Sequence, residues 1–160
     1  MMRVFVTVGT QLPFDRLVTA IDEWGLTNPN YHCFAQIGAS TYQPSCIAHK
    51  KFIDLEEYQQ KIEECDLLVA HAGMGAILSA LESGKPIVIM PRKASLREHR
   101  NDHQIATANR FLEMGKVLVA NESQDLHRHL TDFASNRSAA PLGPHASKEL
   151  IEAVSSFLSR

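Results

Sequence analysis

Hydrophobic positions along this chain follow two rhythms: short unbroken apolar runs, and longer stretches in which apolar residues recur three and four apart. The runs read as buried strands: Arg3 to Val8, Tyr31 to Ile37, the short Cys46 to Phe52, Leu67 to Ala70, Ile87 to Met90, and Lys116 to Ala120. The spaced pattern predicts helices between them. The first carries Phe14, Leu17, Val18 and Ile21, with Pro13 at its start and Gly25 as its stop. The second is capped by Asp54, with Glu57 at the capping-box position and Ile53 placed to staple against Tyr58, and it buries Leu55, Tyr58 and Ile62. A third spans Ala76 to Ser83 and ends at Gly84, with Pro86 preventing its return. A fourth buries Ile105, Ala108, Phe111 and Leu112 and stops at Gly115; a fifth, capped by Ser123, carries Leu126, Leu130 and Phe133. Strands alternating with helices predict an α/β fold with a doubly wound, mostly parallel sheet.

The densest part of this pattern is Asp66 to Arg92, DLLVAHAGMGAILSALESGKPIVIMPR. It is a strand–helix–strand unit whose strand hands over to its helix through Gly73, Met74 and Gly75. In a parallel sheet that turn lies at the carboxyl edge, where free N–H groups and the helix dipole make a seat for phosphate. His71 stands just before the turn. Two readings are open for it: a donor to a phosphate oxygen or ligand hydroxyl, or a histidine satisfied by backbone at a strand end. Gly9, Thr10 and Gln11 join the first strand to the first helix and form a second candidate phosphate or substrate loop.

Length changes the picture only by limiting it. The chain has 160 residues, room for one domain with a full core. We expect that domain over residues 1–135, a Ser/Ala/Pro/Gly-rich linker over 136–144, and an amphipathic helix over 145–160 that packs on the domain or on a partner. A formal net charge of −2 supplies no basic footprint for nucleic acid. No apolar run reaches bilayer length, and the start has no signal-peptide core, so a cytoplasmic chain without a membrane span is expected. The three cysteines have no CxxC spacing and read as reduced structural thiols.

After the second strand of the central unit comes Glu98 to Gln104, EHRNDHQ, a concentration of donors and acceptors suited to a polyhydroxyl ligand such as a sugar, or simply a solvated charged face. His99 and His103 are four apart, a spacing that can share a helix face, but Arg100 stands where the usual zinc signature carries Glu and opposes a cation, so no metal is expected. GxGxxG after the first strand, GxxxxGK[ST] and GxSxG are all missing, which removes support for dinucleotide, P-loop and serine-hydrolase readings.

HAGMG, LESGKP, IVIMPR and the NDHQ run together resemble the donor-binding C-terminal half of GT-B glycosyltransferases of the family 28 type, over roughly Arg3 to Val119. The resemblance implies a Rossmann-like fold equal to a single GT-B half. It is nearest to the split transferases, which include bacterial exopolysaccharide β-1,4-glucuronosyltransferase subunits and the cytosolic subunit of the dolichol-linked chitobiose N-acetylglucosaminyltransferase. It implies a UDP-sugar as donor substrate, no cofactor, a membrane-anchored acceptor-binding subunit as partner, and a lipid-linked saccharide acceptor. The chain would then lie at the inner face of the membrane through that partner.

Carried over by residue, the resemblance implies that Gly73, Met74 and Gly75 hold the diphosphate and that Phe52 and Ile53 frame the uracil. Gly9 and Thr10 would face the acceptor cleft. His103 and Gln104 would read the sugar hydroxyls, although His103 replaces the family's glutamine. Ser79 stands where many members carry a ribose-binding Glu, with Glu82 one turn later as a substitute. Arg92, with Lys93, Arg97 and Arg100, offers a cation for a glucuronate carboxylate. His71 is placed to stabilise the departing diphosphate, and His99 is the candidate general base within the chain. The alternative is a non-catalytic subunit that activates its partner and keeps a degenerate nucleotide-sugar site.

Overall fold

The computed structural model describes residues 1–115 and 117–136. Their strands are β1 (Arg3–Thr7), β2 (His32–Gln36), β3 (Ala48–Lys50), β4 (Leu67–His71), β5 (Ile87–Met90) and β6 (Leu118–Val119). The helices are α1 (Asp15–Thr27), α2 (Leu55–Glu64), α3 (Met74–Glu82), α4 (His103–Glu113) and α5 (Ser123–Ser135). The strands form one sheet in the order β3-β2-β1-β4-β5-β6, with every pairing parallel. Val4 to Val6 of β1, Leu67 to Ala70 of β4 and all of β5 are apolar on both faces because helices cover both sides of the sheet. Leu17, Val18, Ile21 and Trp24 of α1 and Leu126 and Leu130 of α5 bury one face. Ile62 of α2, Ile77 and Leu81 of α3 and Phe111 of α4 bury the other.

The order reverses between β1 and β4. Chain leaving β1 turns to one face and chain leaving β4 turns to the other, so a crevice opens above the carboxyl ends of these two strands. The doubly wound fold expected from the alternation of elements is the one observed.

Local differences have local causes. Gly25 does not end α1, which runs on to Thr27; a Cβ there would meet Cγ2 of Ile47 at 2.7 Å, so this glycine makes room for the chain entering β3. Between β2 and β3 the backbone is tied to α1 instead of extending as strand. Buried Asp22 accepts from Tyr42 Oη at 2.6 Å, Cys46 N at 2.7 Å and Ser45 N at 3.1 Å. Asp15 accepts from Ser40 Oγ, Thr41 N and Thr41 Oγ1. Only Ala48–Lys50 of the expected third strand is therefore paired.

Asp54 caps α2 by accepting from Glu57 N at 2.8 Å, a contact of about 1 kcal/mol. The box is left half made, because the Glu57 carboxylate takes Lys50 Nζ at 2.9 Å. Leu55 and Leu112, expected inside, are 71% and 50% exposed. Gln104, Ala108 and Phe111 are the buried residues of α4. At α5 the cap is Glu122, one residue before Ser123, in a reciprocal box with Asp125. The linker and closing helix expected over 136–160 lie outside the described residues, except for Asn136, which closes α5.

Candidate active site

A cavity of about 540 Å³ fills the crevice at the strand-order reversal. The end of β1 and its loop form one wall through Thr7, Gly9 and Thr10, and the β3–α2 junction forms another through Phe52, Ile53 and Tyr58. His71, Gly75 and Ser79 close it from the β4–α3 side. Helix α3 starts at Met74, two residues earlier than expected, with Gly73 as its N-cap. No side chain caps it, so its first-turn N–H groups and dipole face the cavity end without a protein anion.

His71 is held between two glycines. A Cβ at Gly9 would stand 2.8 Å from its Nε2, and a Cβ at Gly73 would stand 2.2 Å from its Cε1. Gly9 also has φ +78, which a side chain would strain. The ring is oriented by Gln104, whose Oε1 accepts from Ala72 N and from Arg92 N, both at 3.1 Å. Those two bonds fix which end of the amide is oxygen, so the NH₂ end faces His71 Nδ1 at 3.1 Å and donates to it. Nδ1 is thus the bare nitrogen, and Nε2 carries the proton. Burial, then the charges of Arg92 and His99, push the imidazole down to about 4. At neutral pH His71 is an uncharged Nε2–H donor.

Gln104 does different work from that expected, and Arg92 is anchored in the fold while also facing the cavity. Gln104 is 7% exposed, is absent from the cavity wall, and holds the two strand ends and His71 with its amide, so it orients the site from behind. Arg92 is 2% exposed. Its guanidinium donates to the carbonyls of Pro13 (3.1 Å), Glu98 (3.0 Å) and Val8, and stacks 4.7 Å over Phe14. These carbonyls take three of its five N–H groups, and the residue also lines the cavity wall. Burial lowers it to about 10, against the pull of Glu98, and it stays charged at neutral pH.

The expected sugar-reading segment is largely pinned down. Buried Glu98 takes Arg16 through Nε at 2.9 Å and Nη2 at 3.0 Å, and accepts from Lys93 N at 3.0 Å. Asp102 accepts from Ala94 N and Asn101 from His103 N, both at 2.9 Å. Lys93 Nζ is paired with Glu122 at 2.8 Å. Arg97, Arg100 and His103 remain exposed. His99 precedes α4, so it shares no helix face with His103, and it does not line the cavity.

Of the remaining expected contacts, Phe52, Ile53, Gly9, Thr10, Gly75 and Ser79 all line the cavity. Gly75 has open space where a Cβ would stand, so nothing in the fold demands a glycine there. Glu82 lines a separate polar cleft between α2 and α3 and is absent from the main cavity wall. Sequence reasoning missed Gln36 and Tyr58. Buried Gln36 accepts from Thr7 Oγ1 at 2.7 Å and donates to Gly9 O at 3.1 Å and Lys51 O at 2.8 Å, tying three strand ends together beneath the Gly9 loop. A polar residue at the end of an apolar strand was its only signal.

A cavity at the switch point of a doubly wound parallel sheet, beside an uncapped helix N-terminus, defines a Rossmann-like α/β domain with its ligand crevice at the usual place. The chain belongs to the glycosyltransferase family 28 C-terminal domain family, whose pattern matches residues 3–157. It is 33% identical over 127 residues to the UDP-N-acetylglucosamine transferase subunit ALG13 of Mus musculus, a match covering 73% of this chain. The chain spans about 10% of the length of that curated relative. The fold matches the crystal structure of the glycotransferase of kitacinnamycin, with TM-score 0.66 and 22% identity over 93% of this chain and 37% of that one. It also matches the NMR solution structure of ALG13, with TM-score 0.62 and 18% identity over 94% of each chain.

Proposed function

We propose that this chain is the donor-binding subunit of a two-component inverting glycosyltransferase. It takes a UDP-sugar, delivers the sugar to a lipid-linked saccharide acceptor in exopolysaccharide synthesis, and needs a membrane-anchored partner that binds the acceptor. The observation that carries this reading is the neutral Nε2–H of His71, set between Gly9 and Gly73 at the cavity and beside the start of α3. A diphosphate seated there accepts hydrogen bonds from the first-turn N–H groups of α3 and from His71.

As the sugar leaves, negative charge builds on the diphosphate, and these donors strengthen with it. The buried Arg92 charge stands at the cavity wall and adds a favourable field there, since the Glu98 carboxylate is occupied by Arg16. Phe52 and Ile53 supply apolar surface at the far wall for a pyrimidine. The acceptor hydroxyl still needs a base. With His99 off the cavity wall and His71 depressed to about 4, that base belongs to the partner in this reading.

Similarity to a protein named a UDP-N-acetylglucosamine transferase subunit supports both the UDP-sugar and the two-component form. The alternative, a partner-activating subunit with a degenerate site, draws support from the engagement of Gln104 away from the cavity wall, which removes one expected sugar contact. Titration of the full chain with UDP separates the two: micromolar to submillimolar binding supports the donor site, and no binding supports the alternative. Co-expression with the membrane partner, followed by a panel of UDP-sugars on lipid-linked acceptors, then tests transfer and identifies the sugar.

A further inference from the structure

Gln36 ends β2, the strand between β1 and β3, and its side chain reaches toward both neighbours. Its Nε2 donates to Gly9 O at 3.1 Å on one side and to Lys51 O at 2.8 Å on the other. Its Oε1 accepts from Thr7 Oγ1 at 2.7 Å. Carbonyls can only accept, so the amide has one orientation and both of its hydrogens are spent. Thr7 has then given its proton, and its oxygen accepts from Gly9 N at 3.4 Å. Gly9 is thus held through both its N–H and its C=O.

Both carbonyls lie past the end of a strand. β1 ends at Thr7 and β3 at Lys50, so Gly9 and Lys51 already belong to the loops that form the cavity. Gly9 backs the His71 ring, and Lys51 leads directly into Phe52 and Ile53. These two walls stand two strand spacings apart, about 10 Å. Gln36 lines the cavity between them and is 4% exposed. The backbone ladder sets the spacing of β1, β2 and β3, and the amide carries that spacing on into the loops.

Resting on the donor-site reading above, we infer that Gln36 is a positioning residue: it fixes the distance between the wall that takes the nucleobase and the wall that takes the diphosphate, so that one nucleotide engages both. A ligand with two linked groups gains over its separate parts only when the two subsites stand at the span of the link. One amide bonded to both walls maintains that span. Its loss leaves each wall its own groups, the side chains of Phe52 and Ile53 on one side and the first-turn N–H groups of α3 with His71 on the other. What is lost is their fixed separation.

The test is NMR titration of the full chain with UDP, uridine and pyrophosphate, the last two each reaching one wall. Gln36→Met keeps the length of the side chain and removes its hydrogen bonds. It is expected to bind UDP about tenfold more weakly than wild type. Uridine and pyrophosphate are expected to bind it within about twofold of wild type. Gln36→Asn, one methylene too short to reach both carbonyls, is expected to act in the same direction and serves if the methionine variant does not fold. Asp22→Asn also loses buried hydrogen bonds, but in the loop after β2 and off the cavity wall, and is expected to leave UDP affinity unchanged. Equal weakening of all three ligands in the Gln36 variants, or UDP binding as tight as in wild type, would overturn the inference while leaving the nucleotide site standing. No binding of UDP by wild type would sink the donor-site reading, and this inference with it.

Discussion

The side-chain NH₂ of Gln104 donates to Nδ1 of His71 across 3.1 Å, from a helix that follows a different strand. One amide thereby sets both the ring orientation and the tautomer of the residue at the mouth of α3. Because the amide oxygen holds Ala72 N and Arg92 N, the ends of β4 and β5 are locked in the same contact.

Changing that amide to a carboxylate should invert the tautomer. In Gln104→Glu the carboxylate can still accept from the two backbone N–H groups but offers no donor to His71, which then places its proton on Nδ1. Nitrogen-15 NMR of the imidazole should show an Nε2–H tautomer in wild type and an Nδ1–H tautomer in the variant. The adjacent negative charge should also raise the His71 titration well above 4. UDP affinity at neutral pH should fall about tenfold as the donor is lost. An unchanged nitrogen spectrum would contradict the assigned hydrogen-bond direction.

His71 also makes stability depend on pH, with a definite sign. Its folded pKa, near 4, lies below the usual value of 6.5. Between these values the unfolded chain binds a proton that the folded chain refuses, so stability is full above pH 6.5 and is lost as pH falls toward 4. The loss is at most about 3 kcal/mol. Urea unfolding at pH 7 and at pH 4.5 should show this decline in wild type and a shallower one in His71→Asn.

The three glycines near His71 should separate by function. Gly73→Ala places a methyl 2.2 Å from the His71 ring and should cost both stability and UDP affinity. Gly75→Ala meets nothing in the protein and should keep or raise stability by up to about 1 kcal/mol. Its methyl nevertheless projects beside the proposed diphosphate seat, so UDP binding should weaken while the melting temperature holds. Thermal denaturation paired with UDP titration reads both. If Gly75→Ala binds UDP as tightly as wild type, the seat lies elsewhere. Gly9→Ala combines a 2.8 Å contact with a positive φ and should resemble Gly73→Ala.

Asp22 should govern the loop between β2 and β3. Burial alone would raise its carboxyl, but bonds from Tyr42, Cys46 and Ser45 outweigh that and hold it below the usual aspartate range. Its contribution is therefore present above the unfolded pKa and disappears as pH falls through the lower folded value. Asp22→Asn should destabilise the chain by about 1–3 kcal/mol at neutral pH, since an amide cannot accept all of these donors. It should also raise hydrogen-exchange rates at Ser45 and Cys46 first.

Breaking the Arg16–Glu98 pair should cost more. Both side chains are largely buried, and Glu98 also holds Lys93 N. Arg16→Met leaves that carboxylate uncompensated and should cost about 3–5 kcal/mol by urea unfolding.

Much of this molecule was readable before any coordinates. Runs such as Leu67 to Ala70 and Ile87 to Met90 are apolar on both faces, and only a strand covered by helices on each side accounts for that. Gly73, the α3 pattern and Gly84 then placed a helix N-terminus at the sheet edge. From these the parallel fold, the glycine turn and the place of His71 beside it followed, while Phe52, Ile53 and Ser79 came to the same cavity only through the resemblance to family 28 transferases.

What the sequence determined by itself was the periodicity of each element and hence the layered fold, because backbone geometry and hydrophobic burial act on neighbours a few residues apart. The tertiary structure alone decided which polar side chains remain free for a ligand. Gln104, Arg92 and Glu98 look like surface ligands when read in order. They are anchored to Ala72, Val8, Pro13 and Arg16, residues 20 or more positions away that only folding brings within hydrogen-bond reach. A buried polar group must find partners wherever the chain supplies them, and that demand is settled in three dimensions.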